Sequence, residues 1–171
     1  MTTEFLIYSE WGEDLKLVQQ LVAEDLNAIG IGTELGMVEG SQLWGTYDDG
    51  GLEQTGNFEL DMWDDGYAGN QLSDFLWVYY HSAAQEPDLG WNVVRWSNEE
   101  FDRLLDETYT LDEAYRKEIF CQIAEILDRE LPSIPLFVSV EAAGYSTRLE
   151  GVEANGNDII TWNIADWKVT E

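Results

Sequence analysis

The chain has 171 residues, 44% of them hydrophobic, which is enough for one folded domain with its own core. Asp and Glu total 35 against 8 Lys and Arg, so the net charge is −27. This charge excludes binding of DNA, RNA or an anionic lipid surface by the chain, because each of these partners requires cationic side chains.

Residues suited to zinc binding or nucleophilic catalysis are scarce. Cys121 is the one cysteine, so no internal disulfide can form, and its place in an amphipathic helical pattern predicts a buried thiol. His81 is the one histidine, which leaves the usual zinc ligand sets incomplete. A catalytic triad would have to use His81, and no Ser or Cys lies in a nucleophile motif. We therefore expect no catalytic residue, no metal and no cofactor.

The beginning of the chain predicts a strand, a helix and a second strand. Residues 4–8 (EFLIY) form a short apolar run, and residues 31–35 return to extended alternation. Gly30 is of the residue type that commonly follows a helix. Two strands joined by one helix indicate a parallel pair with a right-handed crossover. The helical stripe comprises Leu15, Val18, Leu21, Val22, Leu26 and Ile29.

The middle of the chain predicts a loop, a strand and a helix. Residues 36–56 are rich in Gly and Asp, which is typical of a loop. Residues 58–63 (FELDMW) alternate apolar with polar side chains and predict a strand, and residues 64–67 (DDGY) predict a turn. The next helix is indicated by an apolar stripe, and a loop follows it at residues 81–96. The stripe comprises Leu72, Phe75, Leu76, Tyr79 and Tyr80.

Two further helices have recognisable ends. Ser97 and Glu100 have the spacing of a capping box, in which each side chain serves a free backbone N–H group. Asp112 is the predicted cap of the following helix, which Pro132 ends. Residues 134–140 (IPLFVSV) then predict a strand.

The tail, residues 158–169, predicts one or two more strands. Strands and helices therefore alternate through much of the chain, without internal repeats or a low-complexity linker. A single α/β domain over residues 1–171 is the simplest interpretation.

Several short motifs occur in a set order along the chain. They are VAEDLNAIGI at 22–31, FELDMWD at 58–64, Asn92, WSNEEFDRLL at 96–105, DEAYR at 112–116, LPSIPLF at 131–137, LEGV at 149–152 and Trp167. In this order they resemble family 5 extracellular solute-binding proteins, the oligopeptide-, dipeptide- and nickel-binding components of ABC importers. The resemblance extends over nearly the whole chain.

The resemblance implies one lobe of a type II periplasmic-binding-protein fold, with a mostly parallel sheet flanked by helices. Two such lobes close over a ligand, and permease subunits of the transporter accept the closed form. The chain would be the C-terminal lobe, with a missing N-terminal lobe as its partner, in the periplasm or outside the cell. Residues 1–4 lack the features of a signal peptide, so we expect the missing part to carry the export signal and a membrane tether.

The resemblance also implies a ligand site beyond the strand that ends in Trp63. In peptide-binding relatives an acidic residue just past this Trp pairs with the ligand's amino terminus, and Asp64 or Asp65 is the counterpart here. Trp91 and Asn92 lie in a loop expected near the cleft, where an amide would hydrogen-bond a ligand. The alternative is that the acidic pair forms a solvated turn and Asn92 a turn of its own.

Ligand identity stays open between a peptide, a nickel complex, a sugar and an opine-like solute. The family's Pro after the Trp motif is absent here, and residues 36–56 are longer and richer in Gly than is usual. The acidic composition fits an extracellular protein and equally a high-salt origin, where salt screens the repulsion.

Two other functions compete with solute binding. Paired carboxylates and many Trp residues are what a glycosidase requires. A calcium-stabilised interaction module could draw its oxygen ligands from Asp61, Asp64 and Asp65 or from residues 47–51 (YDDGG), although neither set has the EF-hand spacing.

Overall fold

A parallel β-sheet organises the first third of the chain in the computed structural model, which describes residues 2–10, 12–66, 72–138, 140, 142–156 and 159–170. Its order is β2–β1–β3, with Phe5 opposite both Leu35 and Leu60. The predicted parallel pair is therefore confirmed, as is the α/β class with helices flanking the sheet. The strands are β1 (Thr2–Tyr8), β2 (Gly32–Val38) and β3 (Leu60–Asp61).

Helix α1 (Glu13–Ala28) crosses one face of this sheet. Leu15, Val18 and Val22 of its predicted stripe pack on Phe5 and Ile7, which are buried on that face, whereas Leu21 and Ile29 of the same stripe are exposed. The buried amide of Gln19 donates hydrogen bonds to Phe5 O at 2.7 Å and to Gly36 O at 3.1 Å, which ties the helix to β1 and β2. Gly30 follows the helix with φ of 91°, a left-handed conformation that glycine adopts without strain.

The segment from residue 39 to residue 57, called the excursion below, contains two single-turn helices, α2 (Gly40–Leu43) and α3 (Leu52–Thr55). Gly51 lies so close to Gly45 that a Cβ on Gly51 would stand 1.9 Å from Gly45 O, so the turn requires glycine. Leu60 packs toward α1, and side chains alternate along a strand, so Asp61 points to the opposite face. Glu53 of α3 hydrogen-bonds with Asp61, which places the excursion on that opposite face.

Three helices form a second hydrophobic core. They are α4 (Leu72–Tyr80), α5 (Glu99–Glu107) and α6 (Glu113–Glu130), and a short 3-10 helix, Ser82–Gln85, follows α4. Of the apolar stripe predicted for α4, Leu76 is buried and Leu72 is 38% exposed, and each of the three helices turns an apolar face toward the shared core. The buried set comprises Leu76, Phe101, Leu104, Leu105, Ile119, Ile123 and Ile126.

The start of α5 differs from the prediction. Asn98, rather than Ser97, is the N-cap, and its side-chain oxygen accepts hydrogen bonds from Glu100 N–H and Phe101 N–H, both at 3.0 Å. The Ser97 hydroxyl instead contacts the amide of Gln85. The prediction for α6 is confirmed, since Asp112 Oδ1 accepts two N–H groups of its first turn.

The predicted strands in the second half and the strand before Trp63 are mostly wrong. Of residues 58–63, only Leu60 and Asp61 pair in the sheet. Residues 134–138 and 140 form no strand, because no neighbouring strand among the described residues offers hydrogen bonds to them. The tail contributes β5 (Lys168–Val169), which pairs antiparallel with β4 (Leu149–Glu150), after a 3-10 turn at Ile164–Asp166.

The thiol of Cys121 is exposed, so the prediction of a buried cysteine is wrong. Ile119 and Ile123 are buried, and a residue two positions from each points to the far side of a 3.6-residue helix. None of the described helices is long and apolar enough to span a lipid bilayer.

Candidate functional site

A cleft of about 290 Å³ opens beyond the carboxyl ends of the parallel strands. This is the edge where open α/β sheets bind ligands, because the loops that follow the strands converge there. Trp44 comes from the excursion after β2, and three residues come from the loop after β3. Four of the five residues predicted from the sequence line this cleft, and Asn92 is the exception. The lining residues are Trp44, Glu53, Trp63, Asp64, Asp65, Tyr79 and Trp91.

The two exposed carboxylates of the cleft are each held by a tyrosine from another element. The Tyr8 hydroxyl, at the end of β1, donates to Asp64 Oδ1 at 3.3 Å. The Tyr79 hydroxyl, on α4, donates to Asp65 Oδ2. Burial and the charge of Asp64 raise the pKa of Tyr8 to about 12, and burial with the hydrogen bond to Asp65 raises the pKa of Tyr79. Both phenols therefore stay protonated and orient the two carboxylates.

Aromatic rings form the walls around this acidic pair. Trp63 packs on Tyr79 with ring centroids 5.3 Å apart, and Trp44 packs on Tyr8 at 4.6 Å. Trp91 is placed by its main-chain N–H group, which donates to Val78 O at 2.8 Å. The lining includes three tryptophans and no Lys or Arg, so the wall suits apolar groups and positive charge.

The floor of the cleft contains a buried acid that the sequence did not reveal. Glu53 is 1% exposed, and its Oε1 accepts the Trp44 indole N–H at 3.2 Å. Burial, then the hydrogen bond and charge of Asp61, raise the pKa of Glu53 to about 9. No motif marks Glu53, Trp44 or Tyr79 as site residues, because their relation depends on loop packing rather than on spacing in the sequence.

Asn92 does not line the cleft, and its side chain instead supports the loop around it. It is 1% exposed, and its Nδ2 donates to Tyr80 O, His81 O and Trp96 O at 3.2, 3.1 and 2.7 Å. Its Oδ1 accepts Trp96 N–H at 3.1 Å. The amide is thus fully engaged by the main chain of the loop that it organises, and we leave Asn92 out of the proposed site.

A wider depression of about 570 Å³ lies at the opposite edge, near the start of β1. Its carboxylate Glu59 already accepts hydrogen bonds from Glu4 N–H at 2.6 Å and from the Thr3 hydroxyl at 3.0 Å. Amino ends of parallel strands are not where such sheets bind ligands, so we place the candidate site in the smaller cleft. Among the described residues, no group of three or more His, Cys, Asp or Glu side chains is arranged to hold a metal ion.

Comparisons with known proteins identify the fold. No protein-family model matches the sequence, and no curated protein sequence matches it. Among solved structures, HbpA2 from Haemophilus parasuis superposes with a TM-score of 0.74 at 18% identity, over 99% of this chain and 32% of its own. The periplasmic binding protein DppA from Helicobacter pylori, associated with an ABC transporter and bound to the peptide STSA, gives 0.66 at 18%, over 99% and 31%.

NikZ from Campylobacter jejuni, in complex with Ni(L-His), also has this fold, with a TM-score of 0.66 at 13% identity over 97% of this chain and 33% of NikZ. The chain thus spans about a third of each of these proteins. The resemblance seen in the sequence is confirmed at the level of the fold: the chain is folded like one part of peptide- and nickel-binding proteins of ABC transporters.

Proposed function

We propose that the chain is the C-terminal lobe of the solute-binding component of an ABC importer, which captures a peptide-like or other small solute and delivers it to the permease. The observation that carries the proposal is the cleft of paired carboxylates and tryptophans at the carboxyl edge of a sheet with this fold. The cleft is open, as one wall of a two-lobed site is expected to be. The missing N-terminal lobe would supply the other wall.

The cleft wall has the chemistry to hold a ligand's amino group. A carboxylate that faces an ammonium group in a partly desolvated cleft forms a strong charge-assisted hydrogen bond. Asp64 and Asp65 are preset for this by their tyrosine partners, and either carboxylate would serve. Trp63 and Trp91 would contact the apolar parts of the same ligand.

Binding rather than catalysis fits the arrangement of the acids. The Glu53 and Asp61 carboxyl groups hydrogen-bond to each other, whereas glycosidases need about 5 Å or more between their two carboxyls. The calcium alternative loses one of its suggested ligands, because Asp61 points under the excursion toward Glu53 and away from an open coordination site.

The proposed setting is the outer side of the cytoplasmic membrane. DppA is described as a periplasmic binding protein, and a solute-binding lobe acts where its transporter collects solute. The proposal includes permease subunits as partners and a membrane tether on the part of the protein outside this chain.

The test is calorimetric titration of the full-length gene product with trialanine and with N-acetyl-trialanine. We expect trialanine to bind and the acetylated peptide, which lacks the ammonium group, to bind at least about tenfold more weakly. Asp64→Asn combined with Asp65→Asn should reduce trialanine affinity similarly, and Asp25→Asn, on the exposed surface of α1, is the matched control.

Equal affinity for the two peptides would contradict the role of the acidic pair. Failure to bind any peptide, nickel–histidine complex or sugar would contradict the function. The 171-residue chain alone should bind trialanine about 100-fold more weakly than the full-length protein, because one wall of the site is missing. Tight binding by the chain alone would refute the two-lobe interpretation.

A further inference from the structure

Glu53 connects the wall of the cleft to the sheet below it. Its carboxyl group accepts the Trp44 indole N–H at 3.2 Å on one side and hydrogen-bonds with Asp61 on the other. Trp44 is a wall residue of the cleft, Glu53 belongs to α3, and Asp61 belongs to β3. One side chain therefore joins the excursion to the central sheet at the position of a ligand-facing tryptophan.

The hydrogen bonding of Asp61 indicates where a proton must lie. Asp61 Oδ2 is buried, and no N–H or hydroxyl group among the described residues donates to it. A buried carboxylate oxygen without a donor is costly, and two adjacent ionised carboxylates repel each other. A proton on Glu53 removes the repulsion and supplies the Asp61 carboxylate with an O–H donor, while Oε1 still accepts from Trp44.

We propose that Glu53 is a positioning residue of the ligand cleft: as a neutral acid it fixes the Trp44 indole against β3 through Asp61, and its ionisation breaks the link to Asp61, so that Glu53 and the Trp44 indole bonded to it move away from β3 together. The consequence for ligand binding rests on the proposed function. The link between the protonation of Glu53 and the position of Trp44 does not rest on the proposed function, and it is tested without any ligand.

The groups around Glu53 favour its neutral form. Asp61 faces it from β3, and Tyr79 approaches it from α4. Asp64 and Asp65 line the same cleft from the loop after β3. The nearby cation Arg95 donates instead to the main-chain carbonyls of Gln85 and Gln54, so it does not neutralise the pair. Burial is the main reason that the pKa of Glu53 rises to about 9, and Asp61 adds to it.

The first experiment follows two resonances of the chain by NMR between about pH 6 and about pH 10. We expect the Glu53 side-chain carboxyl carbon to titrate well above the usual range of a Glu, and the Trp44 indole N–H resonance to shift with the same midpoint. A Glu53 carboxyl that is already ionised at the lower pH would overturn the proposal. So would a Trp44 resonance that stays unchanged while Glu53 titrates. The wild-type titration requires no variant to fold.

The second experiment compares Glu53→Gln, Glu53→Ala and Glu39→Gln. The amide introduced by Glu53→Gln can donate to Asp61 and accept from Trp44, so we expect this variant to keep the neutral-pH Trp44 resonance and to lose its titration. Glu53→Ala should shift that resonance at every pH. Glu39 is an exposed glutamate of the same excursion, and its replacement should leave the wild-type titration unchanged. A persisting Trp44 titration in Glu53→Gln would contradict the assignment.

The third experiment measures the affinity of the full-length gene product for trialanine at about pH 7 and about pH 9.5. The peptide's own amino group titrates near about pH 8, so the comparison is between the wild type and Glu53→Gln at each pH. We expect the wild type to lose at least about fivefold more affinity than the variant between the two values. Equal losses would contradict the role in binding. If trialanine did not bind at either pH while the NMR titration was still observed, the proposed ligand would be wrong, but the positioning of Trp44 by Glu53 would remain supported.

Discussion

Helices α5 and α6 and the segment that follows them are both rich in apolar side chains, but the core-facing side chains of the helices are buried and those of the segment are exposed. Phe101 is 0% exposed in the helical core, whereas Ile134 is 73% and Val138 is 92% exposed. The helices find partner surfaces in α4 and in each other. Apolar side chains are buried only where the chain supplies a second surface, and the described residues supply none for residues 134–138.

The contrast agrees with the lengths of the structural neighbours, since the chain spans 32% of HbpA2 and 33% of NikZ. Under the proposed function, the exposed apolar segment would pack against the rest of the same protein. Under the same proposal, this chain supplies one wall of the cleft, and the missing lobe would supply the surface that faces it.

The largest expected effect comes from the helical core. Phe101→Ala should lower the free energy of unfolding of the chain by about 3–5 kcal/mol, because a fully buried ring is lost and a cavity remains. Val138→Ala, in the exposed segment, should change it by less than about 0.5 kcal/mol. Urea denaturation measures both. Similar losses of unfolding free energy in the two variants would show that the two regions do not differ in their contribution to stability.

A second, intermediate effect should appear in the pH dependence of stability. The pKa of Glu53 rises from 4.5 to about 9 on folding, so the neutral acid stabilises the fold fully below pH about 4.5. That stabilisation is lost as the pH rises toward the folded-state pKa. Relative to Glu53→Gln, the wild type should therefore lose stability progressively across this window. Parallel stability curves for the two proteins would show that Glu53 is not a buried neutral acid.

The smallest expected effect distinguishes the cap of α5 from its neighbour. Asn98→Ala removes the acceptor of two backbone N–H groups and should cost about 1 kcal/mol. Ser97→Ala should cost less, because the Ser97 hydroxyl makes no capping hydrogen bond. Thermal unfolding of the two variants measures the difference. A larger loss of stability for Ser97→Ala than for Asn98→Ala would support the capping box predicted from the sequence.

Part of the fold was predictable because its signals are local. Helix α1, helix α4 and the parallel pair β1–β2 follow from apolar spacing within short segments and from Gly30. Strand pairing was less predictable, because a strand needs a neighbour as well as a pattern. Residues 134–138 have the composition of a strand without a partner among the described residues, and β3 is only as long as its pairing with β1.

The candidate site was likewise predictable only in part. Trp63, Asp64, Asp65 and Trp91 were predicted from the strand-end rule and the family resemblance, and the structure brings their side chains into one cleft. Their contact with a ligand stays a prediction. Asn92 was predicted with them, but its buried amide is engaged by main-chain groups of its own loop.

By itself the sequence determined the charge of the molecule, the helices with clear apolar stripes and the position of the acidic pair after a strand. Only the tertiary structure decided that Glu53 lies beside Asp61 and beneath Trp44, and that Tyr8 and Tyr79 hold the two exposed carboxylates. The reason is physical: the protonation of an acid depends on its burial and on the charges near it, and residues from several distant segments create both.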